Sequence, residues 1–452
     1  MPAAVQDRPI HQLPASSPPE APDLYRLSDA ATEHESRNFI VMALYQVIMK
    51  TGWIFKTESI IIPAVLDTIT GGGPLGGWLR GCLPVLNRLG HGIPPVLFSR
   101  RLKLLPQKRW ASVVCTLCMA AVYLVLSGIW RIAGTGVHWW MPLLFLVCYF
   151  LFATATGINY LSFGTLQGKL VRVTRRGRLL LAENVLGAIS AIIAVLLLMP
   201  YWLTPEGGRF DMIFGFSGIC FAIGAFVLLL TIEPQDSYRV SDQGVRHLFV
   251  SAWNIICADV DFRRLALVAM AFSSSLMLFP HYQALGRSPR LGLSFDNLMV
   301  WVIVQNAGTA LFSLVAGPIA DRRGNRVVLQ WILISCAATP LVAVLLSYWQ
   351  DRGAMLYPTV FLLIGLTPVG FKTLNNYTLE ISKPKDHARY LSTLGVCFAL
   401  PLLLSPVFGW LVEVTSFELV FFTISGTIFA GWLLTFRLKE PRDAIRASTG
   451  SK

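Results

Sequence analysis

The chain has 452 residues, of which 54% are hydrophobic and only 14% are charged. Soluble domains carry about 25% charged residues, so this composition excludes a soluble enzyme or binding domain and indicates a chain embedded in a bilayer. The net charge is +13, from 38 basic and 25 acidic residues. Because the basic residues cluster in short loops between apolar segments, we assign them to membrane orientation rather than to nucleic-acid binding.

Residues 1–36 form a polar tail that is rich in proline, serine and alanine. This composition predicts a disordered cytoplasmic segment. The tail lacks the apolar core of a signal peptide, so the first apolar run should direct membrane insertion itself.

Twelve apolar runs of spanning length follow the tail. A helix needs about 20 residues to cross a hydrocarbon core about 30 Å thick, and each run meets this length. The first six runs are 39–66, 75–98, 110–130, 139–164, 179–200 and 210–232, and the last six are 263–285, 297–320, 327–347, 354–378, 390–413 and 417–437. The first two runs are the least regular, because both contain charged residues.

The positions of lysine and arginine orient these runs. Loops 100–109 and 169–178 each contain five basic residues, and loops 321–326 and 383–389 each contain three. The intervening loops together contain Arg131, Arg209, Arg287, Arg290 and Arg352. Because basic residues favour the cytoplasmic side, the pattern predicts twelve spans with both termini in the cytoplasm.

The expected fold class is an all-α membrane protein of twelve transmembrane helices in two six-helix halves. The N-terminal half is 37–232, the cytoplasmic linker is 233–262, the C-terminal half is 263–437, and a cytoplasmic tail covers 438–452. The linker is the longest internal polar segment.

Seven of the eight cysteines lie inside apolar runs, and Cys257 is the exception. Cys115 and Cys118 have the spacing of a redox or metal pair, but no histidine or carboxylate lies near them in the sequence. Buried cysteine usually behaves as a small hydrophobic residue, so we expect no metal and no cofactor.

A loop signature stands between the eighth and ninth runs. It consists of Gly317, Asp321, Arg322, Gly324 and Arg326 in the order G-x-x-x-D-R-x-G-x-R. This sequence resembles the signature of the major facilitator superfamily, and the six-plus-six layout extends the resemblance to the whole chain. A bare basic turn is the alternative interpretation. We expect the first glycine to allow close helix packing and the second to form a tight turn.

The resemblance implies a role for the signature in conformational gating. By the twofold relation of the halves, Asp321 should cap the start of the fifth helix near 177–183, and Arg322 or Arg326 should approach Glu183. The first half departs from the family pattern, because Ser99 stands where the family usually has aspartate. The glycine- and proline-rich motif of many family antiporters also has no convincing match around Gly187.

Ionisable residues inside the runs are candidates for function, because a charge at bilayer depth costs at least ~2.5 kcal/mol. The first run carries Lys50, Lys56 and Glu58. Lys50 is about 16 Å from the start of the run at 1.5 Å per residue, which is near the membrane midplane. Both lysines can line one cavity only if Gly52 deforms the helix.

The second run carries Arg80, Asn87, Arg88 and His91. Arg88 is near mid-depth, and Arg80 is near the outer end at the level of Glu58. A Glu58–Arg80 ion pair is therefore expected, with Glu58 as a second candidate for ion coupling.

The resembled fold places its first, fourth, seventh and tenth helices around the central cavity. We therefore expect a substrate site formed by Lys50, Arg88, Lys372, Tyr45, Trp53, Asn87 and Asn376. The alternative is that the amides make interhelical hydrogen bonds and that the cations snorkel or form fixed ion pairs.

The expected function is secondary active transport of a small solute by alternating access of a rocker-switch type. The excess of buried positive charge favours an anionic organic solute, while a sugar, a peptide, an apolar drug and proton coupling through Glu58 stay open. A membrane-embedded transferase and a transporter-like sensor without transport are the alternatives. The outer loops are too short for a transferase site, and Asp296 and Asp351 lack a partner there, so we expect no enzyme.

We expect a monomer in the cell (inner) membrane. The partners of this monomer are the solute, a coupling ion and the lipid bilayer.

Overall fold

The computed structural model describes residues 33–134, 138–235, 255–382 and 386–440, and these are almost entirely helical. The helices of the first half are α1 (Glu35–Ile54), α2 (Ile61–Thr70), α3 (Gly73–Leu104), α4 (Lys108–Ala133), α5 (Met141–Leu170), α6 (Val173–Trp202) and α7 (Phe210–Leu229). A small hairpin joins the last two, with strand β1 (Leu203–Thr204) antiparallel to strand β2 (Gly207–Gly208).

The second half contains more interruptions. Its helices are α8 (Val260–Ser274), α9 (Phe279–Gly286), α10 (Asn297–Arg323), α11 (Asn325–Ser347), α12 (Gln350–Leu356), α13 (Pro358–Ile364), α14 (Thr367–Ile381), α15 (His387–Ala399), α16 (Ser405–Val414) and α17 (Phe417–Thr435). Turns of 3₁₀ helix cover Ser275–Leu278 and Pro401–Leu404.

Ten helical segments among the described residues are long and apolar enough to cross a bilayer. The chain is therefore an integral, multi-pass membrane protein. The first two predicted runs are not among these ten segments. The chain of the first run breaks between α1 and α2, while α3 covers the second run in 32 residues that include three internal prolines. The tail predicted at 1–36 is described only from residue 33, and most of the predicted linker lies outside the described residues.

The break in the first run corrects the expectation for Gly52. Helix α1 continues through Gly52 and ends at Ile54. A Cβ at Gly52 would lie 2.9 Å from the Cβ of Cys220 and from Phe221, so this glycine lets α1 pack closely on α7. The interruption covers residues 55–60, and the 3₁₀ turn Ser275–Leu278 interrupts the first helix of the second half. Interrupted helices at corresponding positions of two repeats often mark the binding site of a transporter.

A glutamate carboxylate lies at the start of an equivalent helix in each half. Glu233, which follows α7, is buried and accepts hydrogen bonds from the backbone N–H groups of Lys108 and Arg109 at 2.9 and 2.8 Å. Its carboxylate also pairs with Lys169 at 2.9 Å. Glu440 follows α17 and packs its carboxylate against Gly324, at the start of α11. A carboxylate at a helix N-terminus offsets the helix dipole, so both contacts stabilise the third helix of a half.

The two halves meet at the end of the bundle that carries loops 71–72, 203–209 and 287–296, which we call the junction end. The opposite end carries the Gly317–Arg326 loop, and we call it the signature end. At the junction end, Arg80 of α3 pairs with Glu413 of α16, and Gln283 of α9 donates to Asp67 of α2 at 2.7 Å. Closer to the centre, Ser59 donates to Gln305 at 2.6 Å.

Close glycine packing accompanies these polar contacts. Gly77 and Gly81 of α3 lie directly against the backbone of Gly409 and Ser405 in α16, where a Cβ on any of the three glycines would collide. Helices with small residues at their crossing bring their backbones together, so the halves are tightly closed at the junction end.

Candidate functional site

A buried ion pair occupies the interruption between α1 and α2. Nζ of Lys56 lies 2.6 Å from Oε1 of Glu58. The Lys56 side chain is 1% exposed, whereas the Glu58 side chain keeps 35% of its accessible surface. The pair is therefore asymmetric: the lysine depends on protein partners, while the carboxylate is partly accessible.

Aromatic rings and one amide complete the surroundings of this pair. The Lys56 ammonium lies 3.4 Å from the ring centroid of Trp53 and 4.6 Å from that of Phe152, which are cation–π distances. Asn87 of α3 donates to Oε2 of Glu58 at 2.7 Å and approaches the Tyr149 hydroxyl at 3.2 Å. Glu58 thus joins the broken first helix to α3, and Asn87 holds the carboxylate that Lys56 neutralises.

The expected Glu58–Arg80 pair is wrong. Arg80 donates instead to Asp67 at 2.8 Å and to Glu413, so it belongs to the junction end. The sequence suggested the pair from depth alone. The break at 55–60 changes the direction of the chain, which places Glu58 beside Lys56 and leaves the carboxylates of α2 and α16 to neutralise Arg80.

A second group of charges lies between α1, α6 and α14. Lys50 donates to Oδ1 of Asn184 at 3.2 Å, and Gln46 donates to Glu183 at 3.1 Å. Glu183 and Lys372 both act on Lys50 through Coulombic interactions. Helix α6 begins at Val173, so Glu183 is ten residues inside it, about 15 Å along the helix from its start.

Arg88 contacts rings of the opposite half. Its guanidinium carbon lies 4.3 Å from the ring centroid of Phe371 in α14 and 5.8 Å from that of Phe398 in α15. Lys372 and Asn376 are exposed on α14, while Tyr377 is buried with its hydroxyl donating to the carbonyl oxygen of Lys439. Arg88 therefore lies against the helix that carries Lys372, whereas Tyr377 on the same helix points toward Lys439.

Tyr45 does not line the space between the halves. Its side chain is 1% exposed, and its hydroxyl contacts Thr116 at 3.1 Å and accepts a hydrogen bond from Asn159 at 2.8 Å. The prediction of a substrate contact is wrong for this residue, because α1 turns Tyr45 toward α4 and α5 inside the first half. The face that carries Gln46 and Lys50 points toward α6 instead.

The signature loop has the predicted turn but not the predicted packing. Gly324 adopts φ +92°, a conformation that residues with a Cβ rarely adopt. A Cβ at Gly317 would meet nothing within 4 Å, so this glycine makes no close helix contact in this conformation. Asp321 and Arg322 are exposed, and at the start of α6 the backbone N–H of Arg172 donates to the carboxylate of Glu35 at 3.2 Å. Helix α10, which ends in the signature, does contact α6.

Metal-binding geometry is absent from the part of the chain that the structure describes, where no three His, Cys, Asp or Glu side chains form a suitable group. Cys115 is buried and Cys118 is exposed, and both are free thiols.

The family model of the major facilitator superfamily matches this chain over residues 89–379 and 291–452. The chain belongs to this superfamily, a family of secondary transporters of solutes. A search of the curated proteins found no match to the sequence.

Solved transporter structures share the fold. The nucleoside transporter NupG is 13% identical, with a TM-score of 0.64 over 88% of this chain and 98% of that chain. A POT family transporter in complex with 5-aminolevulinic acid is 10% identical, with a TM-score of 0.68 over 90% and 96%. The E. coli fucose:proton symporter FucP is 13% identical, with a TM-score of 0.54 over 90% and 99%. At these identities the likeness shows the fold alone.

Several residues of the site were missed by the sequence analysis. Asp67 and Glu413 are near the ends of their runs and were not recognised as partners of Arg80. In the sequence, Phe371 and Phe398 look like any other phenylalanine of an apolar helix. A ring that contacts a guanidinium cannot be distinguished there from one that faces lipid. Cation–π contacts of this kind become visible only when the helices are packed.

Proposed function

We propose that the protein spans the membrane twelve times and transports an organic anion by alternating access of its two halves. The main observation that supports this proposal is the balance of charges in the space between the two halves, which we call the inter-half space. This space contains four cations, Lys50, Lys56, Arg88 and Lys372, and two carboxylates, Glu58 and Glu183. A net charge of 4 − 2 = +2 in a low-dielectric cavity raises its free energy, and a bound anion lowers it.

Arg88 and Lys372 are the residues that we assign to the anionic group. Lys56 is neutralised by Glu58, and Lys50 lies beside Glu183. Neither Arg88 nor Lys372 forms an ion pair with a carboxylate in the described ranges 33–134, 138–235, 255–382 and 386–440. A carboxylate or phosphate of the solute would supply the missing partner.

The surfaces around these cations suit an organic body. Phe371 and Phe398 flank Arg88, and Trp53 lies at the interruption of the first helix. Asn87 and Asn376 provide amide groups that can fix the orientation of the solute. Mostly apolar walls with a few placed polar groups are the usual composition of a small-molecule site.

We assign this structure to the inward-facing state of a rocker-switch. The basic loops support a cytoplasmic location for the signature end and for both termini. The segments before, between and after the two halves, at 1–36, 233–262 and 438–452, are then also cytoplasmic. We assign the protein to the cell (inner) membrane. The glycine crossing and the Arg80–Glu413 pair close the opposite end. In the outward-facing state, the signature end should close, with Asp321 capping α6 and Arg322 or Arg326 reaching Glu183.

We further propose that a proton couples to transport through Glu58. Its carboxylate is 35% exposed and lies between Lys56 and Asn87, so protons from the cavity can reach it. Protonation removes the charge that holds the Lys56 ammonium, which changes the free energy of the interrupted helix. Coupling requires such a differential interaction between the two states.

Ligand binding by the purified protein tests the anion proposal. Organic anions should raise the melting temperature, whereas neutral sugars and lipophilic cations should not. Arg88→Gln and Lys372→Gln should each weaken anion binding about tenfold or more, because a charge-assisted hydrogen bond contributes about 1.5–3 kcal/mol. Arg131→Gln, which removes an exposed cation outside the cavity, is the matched control. Normal anion affinity in both cavity variants would refute the assignment.

Uptake into proteoliposomes tests transport and coupling. A sensor would bind the anion without moving it, and a transferase would convert it. The double variant Lys56→Met/Glu58→Gln removes one positive and one negative charge together, which leaves the net charge of the space unchanged. It should retain anion exchange but lose acceleration by an imposed proton gradient. Gradient-driven uptake at the normal rate in this variant would exclude Glu58 as the proton site.

A further inference from the structure

An apolar groove with a volume of about 480 Å³ lies on the outer surface of the second half. It runs between α8 with its 3₁₀ turn, the 400–408 segment and α17. Leu267, Leu400 and Leu404 on its rim are 47%, 46% and 56% exposed. Its walls include Leu267, Ala271, Met277, Ile424, Ala430 and Leu434. The groove therefore opens to the surface of the helix bundle.

The bilayer determines what fills such a groove. Leu267 and Met277 are ten residues apart, so the groove is about 15 Å long, which is the depth of one leaflet of a ~30 Å core. Lipid chains surround this surface, and an empty groove would lose dispersion contacts along its whole lining. A single hydrocarbon chain fits both its length and its polarity.

One end of the groove is positively charged. Arg264 precedes Leu267 by three residues on α8, and Arg437 follows Leu434 by three residues in the turn after α17, so both lie in sequence next to residues that line one end of the groove. Nη1 of Arg264 lies 3.3 Å from the carbonyl oxygen of Arg437, which closes the groove at this point. The two arginines thus lie together where the apolar lining ends.

The local charge is not neutralised. Asp261 pairs with Arg264 at 3.6 Å and with Lys439 at 2.7 Å. Arg437 is exposed, and its guanidinium makes no ion pair with a described residue. Arg264 and Lys439 therefore share one carboxylate, and with Arg437 and the neighbouring Glu440 this end carries a net charge of +1.

We propose that the groove binds an anionic phospholipid, with one acyl chain along its floor and the phosphate at Arg264 and Arg437. Arginine pairs of this kind bind phosphate oxygens through their planar N–H groups, and basic pockets between transmembrane helices suit anionic headgroups. A zwitterionic lipid would bring an ammonium group into the same positive field. The charge complementarity thus selects an anionic headgroup, and the apolar groove selects a lipid over a soluble phosphate.

Native mass spectrometry of the purified, full-length protein tests this assignment. Phosphatidylglycerol and phosphatidylcholine with identical chains serve as probes, and glycerol phosphate serves as the soluble headgroup. Phosphatidylglycerol should be retained preferentially, and glycerol phosphate should not bind. The double variant Arg264→Gln/Arg437→Gln should reduce phosphatidylglycerol retention about tenfold. Arg263→Gln removes an exposed arginine on the neighbouring helix face and should leave retention unchanged.

A second variant separates the groove from the arginines. Ala430 is exposed in the groove, so Ala430→Trp should fill it without disturbing buried contacts and should lower retention of phosphatidylglycerol. Equal retention of both lipids, or no effect of Ala430→Trp, would overturn the proposal. A cross-linked dimer through Ala430→Cys that excludes lipid would assign the groove to a second copy instead. Lipid retention is measured without a solute, so its failure is distinct from a failure of anion transport.

Discussion

A single methyl group at Gly409 should open the junction end. Gly409 of α16 lies against the backbone of Gly77 in α3, and neither backbone can move aside while the helices stay in contact. Gly409→Ala therefore adds a steric clash to the closed conformation. In the outward-facing conformation that we propose, the two helices should separate at this point, so the same methyl group should cost nothing there.

The magnitude follows from the kind of clash. Overpacking a tight contact costs about 1–3 kcal/mol, and a tenfold change in population corresponds to about 1.4 kcal/mol. The ratio of junction-open to junction-closed molecules should therefore rise about 5- to 140-fold. A change of this size shifts a minor state to a readily measured population.

Double electron–electron resonance can measure the change. Spin labels at Glu206 and Arg352, which are exposed on different halves at the junction end, report the separation of the halves. Gly409→Ala should increase the population at the longer distance. Gly426→Ala is the matched control, because its Cβ would meet nothing within 4 Å. If both variants gave the wild-type distance distribution, the glycine crossing would not govern closure.

Three further predictions concern stability. In thermal unfolding, Glu58→Gln should lower the free energy of unfolding more than Lys56→Met does. Glu58→Gln leaves a fully buried ammonium unpaired, at a cost of about 3–5 kcal/mol, whereas Lys56→Met leaves a partly exposed carboxylate. Equal losses would contradict the asymmetry of the pair. Glu233→Gln should weaken the cap of α4 by about 1 kcal/mol and lower the melting temperature without changing solute affinity. Tyr45→Phe should cost about 1–3 kcal/mol by leaving Asn159 without its acceptor, and an altered solute affinity would contradict its exclusion from the cavity.

The glutamates at the starts of α4 and α11 show how internal symmetry was overlooked. Glu233-Pro234 and Glu440-Pro441 are the same dipeptide at the end of each half. A search for repeats between the halves would have found them. Their role still needs the structure, because the helix start that each glutamate approaches is three spans earlier in the chain.

The composition and the periodic apolar runs determined the membrane location, and the loop signature identified the family. These features are local: a run of about 20 apolar residues specifies a spanning helix in a solvent that satisfies no backbone hydrogen bonds. The same local information placed Lys50, Arg88 and Lys372 within the membrane.

The partners of these charges were decided by the tertiary structure. The depth of a residue along a helix can be read from the sequence. The direction in which its side chain points cannot, because a break such as that at 55–60 turns every later side chain to a new face. Glu58 therefore pairs with Lys56 rather than Arg80. Tyr45 precedes the break, and the packing of α1 against α4 and α5 directs its side chain to the interior of its own half. An ion pair depends on distances of a few ångströms between helices, and those distances are set by how the two halves pack.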